Sequence, residues 1–315
     1  MSLLTEELKN LCLRLGADLV GIASMDRFEK APGLHNPRSH MPYAESVIVI
    51  GLRYPLASVK LAGRPPSCSI ASYMWYQEVM DWKMSSIAYD VTRYIENRGY
   101  EALPLPPRNL RGPERRLKPF ERSESSLIQY FSHQHAAVAA GLGEYGWSGL
   151  VLTPAFGPRQ RFLSILTDAP LEPDPMYEGP KLCDREKCGL KCVDLCPLKA
   201  ISKDEYVTVV VGGREYSYGK LDRRLCAQSK GFTLSTGEWL KYWSQGAGYV
   251  YRAVGLSPMK AATDGLKDAR YHFGFLGLCM VVCKPEEEAR KEDPEYFNTY
   301  RRLHMELNAP RNTGR

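Results

Sequence analysis

The strongest constraint on this chain is a dense group of cysteines at residues 183–197, which read CDREKCGLKCVDLCP. Four cysteines fall within fourteen residues, and the last of them precedes a proline. Thiolates this close together on one short stretch can surround a soft metal centre. Zinc sites favour two separated cysteine pairs, and disulfide frameworks belong to secreted chains. The group therefore favours an iron–sulfur centre over either alternative.

The spacing is a stretched form of the iron–sulfur pattern of bacterial ferredoxins. That pattern is C-x2-C-x2-C-x3-C-P, and its fourth cysteine binds the other cluster of a pair. Here the intervals are x4, x3 and x3, so only the Cys-x3-Cys-Pro end is kept. Three further cysteines follow the group, Cys226, Cys279 and Cys283, whereas Cys12 and Cys68 precede it. Seven of nine cysteines thus lie after residue 182, which indicates cofactor ligands in a reducing compartment.

Composition is that of an ordinary globular protein, with 315 residues, 44% hydrophobic and 25% charged. No apolar run approaches the length of a membrane span, and the first residues lack a basic and apolar leader pattern. We therefore expect a cytoplasmic protein without a membrane partner. The net charge of +6 is spread along the chain, so nucleic-acid binding is possible but not supported.

Helical and strand patterns alternate over the first 168 residues, which predicts an α/β or α+β domain. Residues 46–52 (SVIVIGL) are β-branched and apolar throughout, so we expect a strand buried on both faces. We expect Cys12 in the core, and Cys68 has no partner at ligand spacing. The remaining predicted elements are helices at 3–15, 72–98 and 124–140 and strands at 18–24, 100–105, 150–153 and 161–167.

Residues 141–149 (GLGEYGWSG) hold four glycines in nine residues. Glycine lets the backbone approach a neighbour closely, so the stretch predicts contact with a large, flat cofactor. A GxGxxG pattern is present at 141–146, but it follows a helix and not a strand. That order does not match a dinucleotide-binding fold.

The character of the chain changes after Asp168. A proline-rich linker at 169–180 leads into the cysteine group, and Gly212-Gly213 predicts a hairpin between strands at 206–211 and 214–218. We expect a cofactor-binding domain at 1–168, an iron–sulfur domain at 169–290 and a charged helical tail at 291–315.

These features together resemble the reductive dehalogenase and epoxyqueuosine reductase superfamily. The resemblance is carried by residues 140–159 (AGLGEYGWSGLVLTPAFGPR), by residues 167–171 (TDAPL) and by the cysteine group. It implies an α+β protein whose nitroreductase-like domain holds a corrinoid and whose ferredoxin-like module holds two [4Fe-4S] clusters. Electrons would pass through the clusters to cobalt. The implied cofactor-binding residues are Gly141, Gly143, Gly146, Trp147, Gly149 and Arg161.

The resemblance also implies a division of the cysteines between the two clusters. The first cluster would take Cys183, Cys188, Cys192 and Cys283, and the second would take Cys196, Cys226 and Cys279. Its eighth cysteine is expected at Leu276, so the second cluster is one thiolate short. That cluster is expected to be three-iron, to use a ligand such as His272, or to borrow a cysteine from elsewhere.

The chain also departs from the pattern of the superfamily at the position of the proton donor. Epoxyqueuosine reductases carry an acidic residue in the helix before the glycine motif, whereas here the only carboxylate, Glu124, lies near the start of that helix. Dehalogenases use a tyrosine assisted by a basic residue. Tyr130 with Arg159 or Arg161 is therefore the first candidate for the general acid, and His133 is the second.

Two classes of function follow. The first is an iron–sulfur and corrinoid oxidoreductase that reduces a small electrophilic molecule and receives electrons from a ferredoxin or flavodoxin type of donor. The second is a non-catalytic protein that transfers electrons or handles the corrinoid. Flavin in place of the corrinoid is a further, less favoured option, because nitroreductase-like domains usually bind flavin.

Overall fold

The computed structural model describes residues 3–55, 59, 68–107, 131–196, 199–223, 225–226 and 278–284. Its helices are α1 (Leu3–Arg14), α2 (Cys68–Glu96), α3 (His133–Ala139), α4 (Arg185–Cys188), α5 (Lys191–Asp194) and α6 (Leu278–Val282). Its strands are β1 (Leu19–Ser24), β2 (Ser46–Arg53), β3 (Ala102–Pro104), β4 (Glu144–Tyr145), β5 (Val151–Leu152), β6 (Gln160–Thr167), β7 (Ile201–Val211) and β8 (Arg214–Leu221). Three short 3-10 helices, Met25–Phe28, Gly33–His35 and Pro37–Ser39, lie between β1 and β2.

The first part of the chain is built on an antiparallel sheet with the strand order β1-β2-β6-β3. Every residue of β2 except Arg53 is buried, as the sequence predicted. Ile48 and Ile50 pack in the core with α1 and α2, whereas Val47 and Val49 pack on the opposite face with α3. Helices therefore cover both faces, which explains why β2 is continuously apolar. The mixed helix-and-sheet class is confirmed.

The predicted linker at 169–180 has no regular structure but packs against α1 and β1. Asp174 accepts hydrogen bonds from the Ile22 backbone N–H (2.9 Å) and from Lys9 Nζ (2.6 Å). Ser46 Oγ donates to the Ala169 carbonyl at 2.9 Å. This stretch is therefore fixed to the sheet before the cysteine group begins.

The hairpin predicted from Gly212-Gly213 is confirmed and is longer than expected. Both glycines have positive φ, 56° and 75°, as two-residue hairpin turns that match the strand twist require. The turn packs on the first part of the chain, because the Gly212 N–H donates to the Arg27 carbonyl at 3.0 Å and Val211 is buried. No helix in the described part of the chain combines the length and apolar character needed to cross a bilayer.

Candidate iron–sulfur site

The cysteine group forms two short helices joined by a tight turn. Asp184 caps α4 by accepting hydrogen bonds from the N–H groups of Glu186 and Lys187, both at 3.0 Å. Gly189 and Leu190 then adopt left-handed backbone angles, with φ of 62° and 53°. This conformation is unfavourable for leucine and is typical of constrained, functional turns. It reverses the chain so that Cys192 returns towards Cys183.

Helix α6 brings the distant cysteines to this group. It packs against α5, and Cys279 joins Cys183, Cys192 and Trp147 in one cluster of packed side chains. Cys283 packs with Cys183 around Leu182. Cys279 in α6 and Cys283 just after it therefore both lie beside Cys183. The division expected from the resemblance assigned only Cys283 to the cluster that contains Cys183.

The thiols of this group influence one another electrostatically. Burial, and then the nearby thiols of Cys183, Cys279 and Cys188, raise the pKa of Cys192 to about 12. Burial also raises the pKa of Cys183. Several thiolates crowded together are stable only when positive charge offsets their repulsion, and bound iron supplies such charge.

Backbone N–H groups point at two of the predicted ligand sulfurs. The Trp147 N–H donates to Cys183 Sγ and the Ala200 N–H donates to Cys196 Sγ, each at 3.2 Å. Hydrogen bonds of this kind orient metal-bound thiolates and set the reduction potentials of iron–sulfur clusters. The donor set therefore fits iron–sulfur ligation.

Cys196 and Cys226 lie on adjoining segments. The Asp222 N–H donates to the Ala200 carbonyl at 2.8 Å, and the Cys226 N–H donates to the Asp222 carbonyl at 2.9 Å. No disulfide joins any of the cysteines whose side chains the structure describes, a set that does not include Cys68. Among the described residues, no three His, Cys, Asp or Glu side chains are close enough together to bind one metal ion. A multi-iron cluster does not need such convergence, because its thiolates bind different irons.

Arg159 connects the cysteine segment to the sheet. Its Nη1 donates to the carbonyl of Met280 within α6 (3.2 Å) and to that of Cys283 directly after α6 (2.6 Å). The sequence interpretation paired this residue with a catalytic tyrosine. The structure gives it contacts that hold a ligand segment in place.

Arg161 lies two residues further along the chain, within β6. It forms an ion pair of 2.7 Å with Asp81 of α2, and the two side chains are only 16% and 10% exposed. The predicted cofactor-binding role of Arg161 therefore competes with a buried ion pair that links β6 to α2.

Of the two candidate acids, Tyr130 lies outside the described residues and His133 lies within them. His133 begins α3, with Nδ1 3.0 Å from Ser164 Oγ and Nε2 2.9 Å from the Pro106 carbonyl. Burial, and to a smaller extent the charge of Arg161, lower the pKa of His133 to about 4. At pH 7 this imidazole is neutral with both nitrogens engaged, an arrangement poorly suited to proton donation.

The glycine motif approaches the protein's own backbone. A Cβ atom at Gly143 would lie 1.9 Å from the Leu152 carbonyl oxygen, and one at Gly141 would lie 2.0 Å from the Pro175 carbonyl oxygen. Gly141 also has a φ of 72°. Packing within the chain thus requires glycine at both positions. Their small size alone does not indicate a cofactor.

Trp147 faces the cysteine group. Its indole N–H donates to the Ser202 carbonyl at 3.0 Å, and the Arg185 guanidinium lies 4.4 Å from its ring centre. The ring is buried and also contacts Tyr206 of β7. Trp147 therefore joins the glycine motif to the predicted iron–sulfur module.

Glu144 of β4 is a structural residue that the sequence interpretation missed. Its Oε1 accepts hydrogen bonds from the N–H groups of Leu182 (2.6 Å) and Cys183 (3.0 Å). Burial raises the pKa of this carboxyl. The available signal was an acidic residue inside an otherwise glycine-rich and aromatic motif.

The fold is similar to that of solved reductive dehalogenases. A solved reductive dehalogenase, described as acting in B12-dependent dehalogenation, matches with a TM-score of 0.53 and 20% identity, over 89% of this chain and 37% of that one. No family model matches the chain.

Curated relatives carry the same name. The tetrachloroethene reductive dehalogenase of Dehalobacter restrictus is 35% identical over 124 residues, which are 39% of this chain and 18% of the relative. That of Sulfurospirillum multivorans is 25% identical over 292 residues, 84% of this chain and 52% of the relative. The expected resemblance is therefore confirmed, and the chain spans about half or less of the length of these relatives.

Proposed function

We propose that this protein is an iron–sulfur oxidoreductase that passes electrons through two clusters to a bound corrinoid, which reduces a small electrophilic molecule. The observation that carries the proposal is the meeting of cysteines from distant parts of the chain, Cys183, Cys192 and Cys279, in one packed group. The similarity to tetrachloroethene reductive dehalogenases supports both the chemistry and the small, electrophilic character of the substrate.

The cysteines have distinct proposed tasks. Cys183, Cys188 and Cys192 would hold the first cluster with a thiolate from α6 or its end, either Cys279 or Cys283. Cys196 and Cys226 would hold the second cluster together with whichever of Cys279 and Cys283 does not bind the first. The clusters, when bound, supply one-electron transfer at low potential. The chain itself supplies thiolates, N–H donors to sulfur, and the Arg159 contacts that keep α6 docked.

The proposed domain arrangement follows the resemblance. Residues 1–168 would form the nitroreductase-like domain that binds the corrinoid, residues 169–290 the ferredoxin-like module, and residues 291–315 a charged tail. Cysteine ligands suit a reducing compartment, so we place the protein in the cytoplasm with a ferredoxin or flavodoxin type of electron donor.

The corrinoid, when bound, supplies a strongly reducing cobalt centre. We propose that it lies beside residues 141–149, where Gly146, Trp147 and Gly149 remain candidates for contact together with Gly141 and Gly143. Tyr130 would donate the proton with the help of Arg159 or Arg161, and His133 remains the second candidate. Within this motif, the Trp147 N–H donates to Cys183 Sγ, which suits a short path for electrons from the first cluster.

The test is to prepare the protein anaerobically with iron, sulfide and cobalamin and to record its absorption spectrum, iron content and corrinoid content. Two four-iron clusters give about eight irons per chain, and a three-iron second cluster gives about seven. A corrinoid spectrum together with cluster absorption supports the proposal. A flavin spectrum would show that flavin, and not a corrinoid, is the bound cofactor. Iron without either cofactor would instead support a ferredoxin-like electron-transfer role.

The second candidate is an electron-transfer or corrinoid-reducing protein without a substrate of its own. Two observations favour it: Leu276 stands where a cluster ligand is expected, and the only carboxylate of the predicted helix before the glycine motif, Glu124, lies near the start of that helix. Turnover of halogenated and epoxide probes separates the candidates. Rapid reduction of bound cobalt without turnover of any probe would support the non-catalytic protein.

A further inference from the structure

Cys183, the first cysteine of the group, is held by the glycine motif at both its backbone and its sulfur. Its N–H donates to Glu144 Oε1 at 3.0 Å, and its Sγ accepts a hydrogen bond from the Trp147 N–H at 3.2 Å. The same oxygen of Glu144 also accepts the N–H of Leu182, at 2.6 Å. Two residues that lie three positions apart in one short motif therefore fix a predicted cluster ligand.

The strand that carries Glu144 is well supported. Glu144 lies in β4 and is paired with Leu152 of β5. A Cβ at Gly143 would lie 1.9 Å from the Leu152 carbonyl oxygen, so the two backbones are in close contact. The buried side chains of Leu152 and Leu182 pack together beneath this pair of strands. A contact positions a ligand precisely only when its own support is rigid, and β4 meets that condition.

The Trp147 peptide is fixed by contacts that do not involve Cys183. Its carbonyl accepts the Gly219 N–H at 2.9 Å, and its indole N–H donates to the Ser202 carbonyl at 3.0 Å. The direction of the Trp147 backbone N–H is thus set by β7 and β8. The hydrogen bond to sulfur then requires that the Cys183 backbone be held in the matching position, and Glu144 supplies that contact.

Attraction between charges does not explain the presence of a carboxylate here. A negative charge beside a cysteine that is to become a thiolate is unfavourable. Burial is the main cause of the raised pKa of Cys183, and the charge of Glu144 adds to it. What Glu144 contributes is an acceptor for two successive backbone N–H groups, which polar groups inside a protein require.

We propose that Glu144 is a positioning residue for the first cluster, holding the backbone of Leu182 and Cys183 so that Cys183 Sγ receives the Trp147 N–H. Outer contacts of metal ligands affect how tightly a metal is held, and hydrogen bonds to sulfur affect the reduction potential of a cluster. Glu144 therefore influences both the retention and the potential of the first cluster. The assignment rests on the proposed function, because it requires Cys183 to bind a cluster.

The experiment compares substitutions of Glu144 in the full chain, reconstituted with iron and sulfide. Glu144→Gln keeps an oxygen acceptor at the same reach and removes the charge. Glu144→Asp keeps the charge but is one methylene shorter, so its oxygen no longer reaches both N–H groups. Glu144→Ala removes acceptor and charge together. Glu178→Ala is the matched control, because it removes an exposed glutamate that pairs with Arg214 at 2.5 Å.

The first measurement is the rate of iron release to a chelator, with circular dichroism to show that each variant is folded. Glu144→Asp and Glu144→Ala should release the iron of the first cluster about tenfold or more faster than the wild type, because N–H groups lose their acceptor. Glu144→Gln and Glu178→Ala should release it at about the wild-type rate.

The second measurement is the midpoint potential of the first cluster, followed by electron paramagnetic resonance. The signal of this cluster is the one that disappears in Cys192→Ser. Loss of an N–H bond to sulfur destabilises the reduced, more negative cluster, so Glu144→Asp should have a lower potential than the wild type. Glu144→Gln and Glu144→Ala both lack the charge, so their difference reports hydrogen bonding alone, and Glu144→Ala should have the lower potential. If Glu144→Ala does not fold, the comparison of Glu144→Asp with Glu144→Gln decides.

A wild-type potential and iron-release rate in Glu144→Asp, or equal potentials in Glu144→Ala and Glu144→Gln, would overturn the assignment and leave the proposed function standing. A loss of probe turnover of about 10²-fold in Glu144→Gln, with retention and potential unchanged, would overturn it too, since Glu144 would then act as an acid on the substrate. A wild type that binds no iron would instead overturn the proposed function, and the assignment with it.

Discussion

Arg159 gives a sharp test of how the cysteine segments are held together. Its guanidinium donates to the carbonyls of Met280 and Cys283 and so fixes the end of α6 to β6. Hydrogen bonds from a charged donor contribute about 1.5–3 kcal/mol each. Since the two bonds are not additive, we assign about 3 kcal/mol to the pair, which is about a hundredfold in the equilibrium between docked and undocked α6.

Arg159→Gln should therefore lose cluster iron far faster than the wild type when a chelator is added to the reconstituted protein. Arg159→Lys keeps the positive charge but loses the planar set of N–H donors of the guanidinium. Its rate of iron loss should therefore lie between those of the wild type and Arg159→Gln. Arg161→Gln, two residues further along the chain in β6, is the control: it breaks the ion pair with Asp81 and lowers the unfolding midpoint, but the folded protein should keep its iron.

Iron per chain and the electron paramagnetic resonance spectrum of the reduced protein report the outcome. Iron retention by Arg159→Gln equal to that of the wild type would refute the docking role. If probe turnover falls about 10²-fold or more while iron and corrinoid stay bound, Arg159 acts instead on the proton donor, as the sequence interpretation proposed.

Three other predictions address the ligands, the glycine motif and acid stability. Cys192→Ser should remove one cluster's iron, because a serine oxygen is a poor ligand for iron in a thiolate site, whereas Cys12→Ser should leave the iron content unchanged; equal iron in both would contradict the ligand assignment. Gly143→Ala should lower the free energy of unfolding in urea by about 3 kcal/mol, because its Cβ would collide with a backbone carbonyl, whereas Gly99→Ala, with a φ of 84° but no neighbour within 4 Å, should lower it by about 1 kcal/mol. Burial lowers the pKa of His133 to about 4, so its stabilising contribution is present above the unfolded pKa near 6.5 and is lost as the pH falls towards 4; the wild type should lose about 2 kcal/mol between pH 7 and pH 5 through this group, and an unchanged pH profile in His133→Gln would show that the buried imidazole is not the cause.

Several elements were predictable because their signals are local. The β-branched run of β2 predicts a buried strand wherever the strand finally pairs. Gly212-Gly213 predicts a tight hairpin because both residues can adopt positive φ. The cysteine group at 183–196 likewise predicts soft-metal ligation from spacing alone.

The interpretation of individual site residues depended on contacts that spacing does not encode. Four glycines between 141 and 149 indicate close approach, but the partner could not be read from the motif. In the structure, Gly141 lies against the carbonyl of Pro175, and Gly143 lies against the carbonyl of Leu152. His133 is an attractive acid by its ordinary pKa, yet burial between Ser164 and Pro106 keeps it neutral.

The sequence by itself indicated α1, α2, β1, β2, β6 and the β7–β8 hairpin, together with the buried character of β2, because each depends on residues close together in the chain. The helix predicted at 124–140 is shorter where the structure describes it, since α3 begins only at His133. Only the tertiary structure decided that β6 pairs with β2, that α6 brings Cys279 to Cys192, and that Arg159 holds α6. These contacts join residues that are 87 or more positions apart in the chain. Their formation depends on the burial and hydrogen bonding of the whole chain, which no local pattern records.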